Sequence, residues 1–163
     1  GPTLAADRCY RAALMDLHDH LAADHRRLEA LITALIAAAP SDAATTVGDQ
    51  EAEFESALIA HFEAEEKHLF PLLTREFPEE VTALREEHET IRRQLGALAA
   101  PGAEGWRGAA AQRLAATLQR HARREDAMLY DLVNDSATSA RYQDLIAYLE
   151  TTYAQLRAAE PGR

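Results

Sequence analysis

His61-Phe62-Glu63-Ala64-Glu65-Glu66-Lys67-His68-Leu69-Phe70-Pro71 decides how the rest of the chain is read. It sets a histidine, a carboxylate and a second histidine at intervals of four and then three residues, positions that share one face of an α-helix. Phe54 and Leu58 precede them on that face and Leu72 follows, so the stripe runs Phe54, Leu58, His61, Glu65, His68, Leu72. Alternating steps of three and four make a buried seam in a helix bundle. Here the seam carries ionisable groups where leucine is expected. A buried carboxylate among imidazoles is costly unless a partner neutralises it, and a metal cation is such a partner.

The same periodicity appears on both sides of this stretch. It predicts helices over about 4–39, 49–75, 78–99 and 109–133, with a fifth over about 139–159. Pro40, Ser41 and Asp42 stop the first helix, and residues 40–48 read as a linker. Pro71, lacking an N–H and crowding the preceding turn, is expected to kink the second. Pro78-Glu79-Glu80 suits the opening turn of the third, and residues 99–108, with Pro101 and Trp106, read as a longer loop. The first seam is Leu14, His18, Leu21, His25, Leu28, Ile32, Leu35; the third is Val81, Leu84, His88, Ile91, Leu95, Leu98. The fourth is Leu114, Leu118, His121, Glu125, Met128, Leu132. The fifth helix shows Tyr142, Leu145, Ile146, Leu149, Tyr153 and Leu156 on one side and no ligand-type residue there, so it reads as a packing or homodimer-forming element.

Laid together, the seams repeat. A shift of 63 residues carries Leu21 to Leu84, His25 to His88, Leu28 to Ile91 and Leu35 to Leu98. A shift of 60 carries Leu58 to Leu118, His61 to His121, Glu65 to Glu125 and Leu72 to Leu132. The acid pairs correspond as well, Glu65-Glu66 with Glu125-Asp126. The expected fold is therefore all-α: two related αα-hairpins forming an antiparallel, up-down-up-down four-helix bundle with an extra C-terminal helix, a single domain over 4–159. Each hairpin delivers one lone histidine and one His-x-x-x-carboxylate pair to a common level of the core.

Composition agrees with long helices: 47% of the 163 residues are hydrophobic, and there are only 7 Gly and 6 Pro. The formal charge of -10, with no compensating basic stripe, argues against nucleic acid as a partner. The longest apolar run, Ala30 to Ala39, is interrupted by Thr33 and too short for a membrane span. The single cysteine, Cys9, excludes an internal disulfide and suits a reducing, cytoplasmic setting. Residues 1–3 read as the scar of a cleaved tag, which leaves a native leader unassessed.

Four imidazoles and two carboxylates exceed what a structural zinc site uses. They suit two divalent ions, with Glu65 and Glu125 each spanning both and each ion taking two histidines, which leaves room for bridging solvent and an exchangeable molecule. Two dications, two carboxylates and a bridging oxide or hydroxide sum to near neutrality, tolerable in a buried cavity. Imidazole and carboxylate without thiolate favour iron, with manganese or zinc as competitors. Such a centre binds or reduces dioxygen, peroxide or nitric oxide.

Asp24-His25-Arg26-Arg27-Leu28, His61-x-x-x-Glu65-Glu66-x-x-Leu69-Phe70-Pro71, Glu87-His88-x-x-Ile91 and His121-x-x-x-Glu125-Asp126 together resemble the hemerythrin HHE cation-binding domain over roughly residues 14–133. The resemblance implies a di-iron site with His25, His61, His88 and His121 as terminal ligands and Glu65 and Glu125 as bridges. The His121-to-Asp126 spacing also matches the His-x4-Asp of oxygen-carrying hemerythrins, so Asp126 competes with Glu125, though it is turned roughly 100° off the seam. Those carriers place two histidines four apart on the third helix, whereas His88 is flanked by Leu84 and Arg92. One imidazole is missing. The departure implies a more open site and shifts the expected activity from reversible oxygen transport toward reaction with oxygen or peroxide. A di-iron oxidase or oxygenase acting on a small organic substrate is the alternative, and an iron, oxygen or nitric oxide sensor without turnover is a third.

Outside this set, His18 and His68 each lie seven residues from a ligand candidate and have Val81 and Met128 as repeat counterparts. They read either as a polar pair near the bundle mouth or as a substrate, proton-relay or third-metal position. Asp24, Glu66, Glu87 and Asp126 read as solvated or salt-bridged acids, or as groups holding a ligand imidazole by its other nitrogen. His20 reads as surface, Cys9 and Met15 as packing, and Tyr130 as a buried or pocket-lining tyrosine.

Overall fold

The computed structural model describes residues 4–38, 44–74, 77–102 and 104–134. Side chains of residues 4–7, 9–11, 13–17, 20, 44–46, 68, 72 and 131–134 also lie outside the description. The readings of Cys9, Leu14, Met15, His20, His68, Leu72, Leu132 and of the fifth helix therefore fall outside the described residues.

The described residues are all-α, without a strand. In order they form α1 (Leu4–Ala37), α2 (Ala44–Ala64), a π-helical turn (Glu65–Leu69), α3 (Phe70–Leu73), α4 (Pro78–Leu98), a 3₁₀ turn (Gly105–Arg107) and α5 (Ala109–Asn134). No described helix is long and apolar enough to cross a membrane.

Two compact units are distinguished, residues 24–123 and residues 1–23 with 124–163. The first contains stretches of all the long helices and a continuous core of Leu28, Ile32, Leu35, Phe54, Leu58, Phe62, Ile91, Leu98, Trp106, Leu114 and Leu118. Apart from Phe62 and Trp106 these are the seam positions of four helices, so the bundle forms because each helix can bury its apolar stripe only against the others. In the second unit, the described part is the start of α1 and the end of α5.

The second helix departs from expectation at both ends. It begins at Ala44, so residues 44–48 of the expected linker are helical and Gly48 sits inside the helix. An interior glycine costs about 1 kcal/mol relative to alanine, and packing of Val47 against the core offsets it.

At the other end, a π turn over Glu65–Leu69 replaces the simple proline kink, with the Phe70 N–H donating to the Glu65 carbonyl. The pyrrolidine ring of Pro71 would crowd the carbonyl four residues back, and widening the preceding turn relieves that clash. The turn takes in one extra residue, so the register advances by one. Leu69 and Leu73 are both buried.

The α4 start is as the sequence dictates, with Pro78 in the first turn and Glu79 and Glu80 at the positive helix end. The loop before α5 is more than a spacer. Gly102 and Gly105 adopt positive φ values of 79° and 60°, a conformation open to glycine, and bring Trp106 into the core edge-on to Phe54 at 5.6 Å between ring centroids.

Candidate metal centre

Each long helix of the 24–123 unit contributes one buried histidine: His25 from α1, His61 from α2, His88 from α4 and His121 from α5. They meet in pairs. The Nε2 atoms of His25 and His61 approach to 3.1 Å, and those of His88 and His121 also to 3.1 Å. Glu65, 1% exposed, lies between the pairs. Its Oε1 is 2.6 Å from His61 Nε2 and 3.8 Å from His25 Nε2, while its Oε2 is 3.0 Å from His88 Nε2 and 4.0 Å from His121 Nε2. One carboxylate thus offers one oxygen to each imidazole pair.

Acids at the edge of the cluster fix the rings. His61 Nδ1 donates to Asp24 Oδ2 at 2.8 Å, His121 Nδ1 to Glu87 Oε2 at 2.8 Å, and His88 Nδ1 to Glu66 Oε1 at 2.7 Å. A carboxylate accepts and cannot donate, so in each of these three rings the proton sits on Nδ1 and the neutral ring turns the Nε2 lone pair inward. Asp24 precedes His25 and Glu87 precedes His88; each therefore holds a histidine of the neighbouring helix, and the two contacts are related by the internal repeat.

For His121, electrostatics favour that neutral state. Burial pushes the His121 pKa down, outweighing the upward pull of Glu87 and Glu65. For Glu66, burial pushes upward, but hydrogen bonds from His88 and Arg92 and the Arg92 charge together hold it below its usual range. Arg92 reaches Glu66 Oε1 at 2.9 Å and Glu89 Oε1 at 2.6 Å.

Lone pairs of two neutral imidazoles facing each other at 3.1 Å repel, and a buried carboxylate beside them needs positive charge. A cation between the rings satisfies both demands, so the donor set fits metal ions. Within the 24–123 unit, two groups of donors have ligand atoms all within 4.8 Å of one another: His25, His61 and Glu65, and Glu65, His88 and His121. Glu125 lies one turn beyond His121 on α5 and is wholly buried. Asp126 is half-buried and belongs to neither group.

The hemerythrin HHE cation-binding domain profile matches residues 16–157, most of the chain. The chain belongs to the hemerythrin HHE cation-binding domain family. It is an all-α, hemerythrin-like helical bundle whose buried histidine and glutamate cluster suits metal binding. The chain matches none of the curated proteins and none of the solved structures with which it was compared.

Two features of this hemerythrin-like site differ from expectation. The His88 ring, beside which a second imidazole is missing, is packed on its face rather than bare. Arg92 turns outward to Glu66 and Glu89, and Phe62 lies flat on His88, with centroids 3.7 Å apart and planes 12° apart. Phe70 closes the same ring from 5.2 Å. Tyr130 is 53% exposed rather than buried, with its ring 6.0 Å from that of His18. His18 is half-buried, contacts Asp19 at 3.3 Å and lies outside both donor groups. The carboxylates at Asp24, Glu66 and Glu87 are the residues that sequence reasoning underweighted; their signal was position, one residue beside a seam histidine or carboxylate.

Proposed function

We propose that this hemerythrin-like chain is a non-haem di-iron protein that binds and reacts with dioxygen or peroxide. The observation that supports the reading best is Glu65, whose two oxygens face two separate imidazole pairs. In this reading His25 and His61 would hold one ion and His88 and His121 the other, with Glu65 and, from the sequence repeat, Glu125 as the carboxylate ligands. A donor set of imidazole and carboxylate without thiolate favours iron, with manganese or zinc as competitors.

Bound iron would supply one-electron chemistry toward dioxygen, peroxide or nitric oxide. The protein's own part is positional. Asp24, Glu66 and Glu87 keep protons on three Nδ1 atoms and so keep three Nε2 lone pairs aimed inward. Leu21, Leu28, Leu58, Leu84, Ile91 and Leu118, all buried, limit water around the centre. The acidic charge and lone cysteine support a cytoplasmic setting without nucleic-acid partners.

Oxygen consumption by anaerobically prepared, ferrous-loaded protein tests this. The expected result is rapid uptake with a new optical band on exposure to air, both lost in Glu65→Ala. Uptake no faster than that of ferrous iron in buffer would refute the reading.

A further inference from the structure

The internal repeat is broken where it matters for access. A shift of 60 residues sets Ala122 against Phe62, and a shift of 63 sets Glu29 against Arg92. In one half, the Phe62 ring stacks on His88 and the Arg92 guanidinium lies 5.4 Å from the outer side of the same ring. In the other half an alanine and a carboxylate stand in those two places. The consequence is a cavity of about 240 Å³, lined by His25, Leu28, Ile32, Leu118 and Ala122, with Glu29 and Gln119 also in its wall. Gln119 Nε2 donates to Glu29 Oε1 at 2.9 Å, linking α5 to α1. All of these residues belong to the 24–123 unit.

We propose that this cavity is a binding site for a small flat aromatic molecule bearing a cationic head group, an arylalkylamine in class. The ring takes the place beside His25 that Phe62 takes beside His88. The head group meets the Glu29 carboxylate, which stands where the other half has the Arg92 cation.

Size fits this class. Drug-sized ligands use pockets of about 300–1,000 Å³, so this smaller one suits a single ring and a short arm. It is far larger than a diatomic gas needs. Walls of leucine, isoleucine and alanine favour the ring, and a charge of -10 draws cations and repels carboxylates. The inference rests on the metal-centre reading only for its use, since a ligand here would lie against a candidate metal ligand; binding itself does not require the metal.

Calorimetric titration of the full-length chain with benzylamine, benzyl alcohol and benzoate tests the proposal, with metal content measured on the same preparations. Benzylamine is expected to bind at least tenfold more tightly than benzoate. Ala122→Phe should weaken benzylamine at least tenfold while the metal-to-protein ratio stays as in the wild type. Glu29→Gln, at an exposed position that folding tolerates, should erase the advantage of benzylamine over benzyl alcohol. Equal binding of all three probes, no binding of benzylamine, or an unchanged preference in Glu29→Gln would overturn the proposal. A wild-type chain that stays empty after ferrous reconstitution yet binds benzylamine in this pattern would sink the di-iron reading and leave the cavity assignment standing.

Discussion

Asp24 accepts a hydrogen bond from His61 Nδ1 at 2.8 Å, so the residue before one candidate ligand orients a ligand on the next helix. Glu87 does the same for His121. A partner on Nδ1 fixes the ring, sets its tautomer and raises the basicity of Nε2. Asp24→Ala and Glu87→Ala are each expected to weaken metal binding about 10- to 100-fold, read by competition with a chelator. Asp24→Asn should cost less, because its amide oxygen still accepts. Affinities indistinguishable from wild type would mean that these acids do not orient the rings.

Arg92 reaches the centre through Glu66. Its charge and hydrogen bond help hold that acid ionised, and Glu66 in turn accepts from His88. Arg92→Leu should shift acid-induced metal release to higher pH, whereas Arg92→Lys should shift it less. The Arg92–Glu66 pair is only partly buried, so the effect is bounded at about 1 kcal/mol, less than one pH unit. A titration of metal content against pH checks it.

Acid should destabilise the metal-free fold in two stages. The His121 pKa is lowered from 6.5 on folding, so below that value the unfolded chain binds a proton that the folded chain resists, and stability falls. The Glu66 pKa is also lowered, from 4.5; its contribution is present above that value and is lost as pH falls through the folded-state pKa. Urea midpoints measured across this range should therefore decline first below about pH 6.5 and further below about pH 4.5, the ordinary values of the two groups. In His121→Asn the first decline should shrink.

Phe62 is buried, and its ring covers His88. Phe62→Ala should cost about 3–5 kcal/mol in urea denaturation, the range for large aromatic deletions in cores. It should also speed chelator removal of metal, because it makes beside His88 the kind of space that Ala122 leaves beside His25. A loss below about 1 kcal/mol would show that the ring is not integral to the packing.

The bundle was legible in the sequence because a helix reports its buried face through residue spacing alone. Phe54, Leu58, His61 and Glu65 lie three or four apart, and all are buried. That the four histidines are two equivalent sets was legible through the repeat, which relates His25 to His88 and His61 to His121; that His25 meets His61 and His88 meets His121 was not. What escaped were relations between helices. Asp24 and Glu87 sit beside the seam, and nothing in the spacing along their own helices shows that they reach a neighbour's ring. The π turn escaped because Pro71 signals a disturbed helix without saying whether the chain bends or takes in a residue. The missing imidazole implied a more open site, and spacing does not show that Phe62 packs on His88. The repeat did hold one unread sign: Phe62 is matched by Ala122 and Arg92 by Glu29, and the cavity lies on the alanine side.

Metal content per chain tests the central claim most directly. Protein reconstituted anaerobically with ferrous salt and freed of loose metal should retain two ions per chain, falling to one or none in Glu65→Ala, with manganese retained more weakly than iron. A chain that stays empty after reconstitution, or that holds metal as well without Glu65 as with it, would contradict the account.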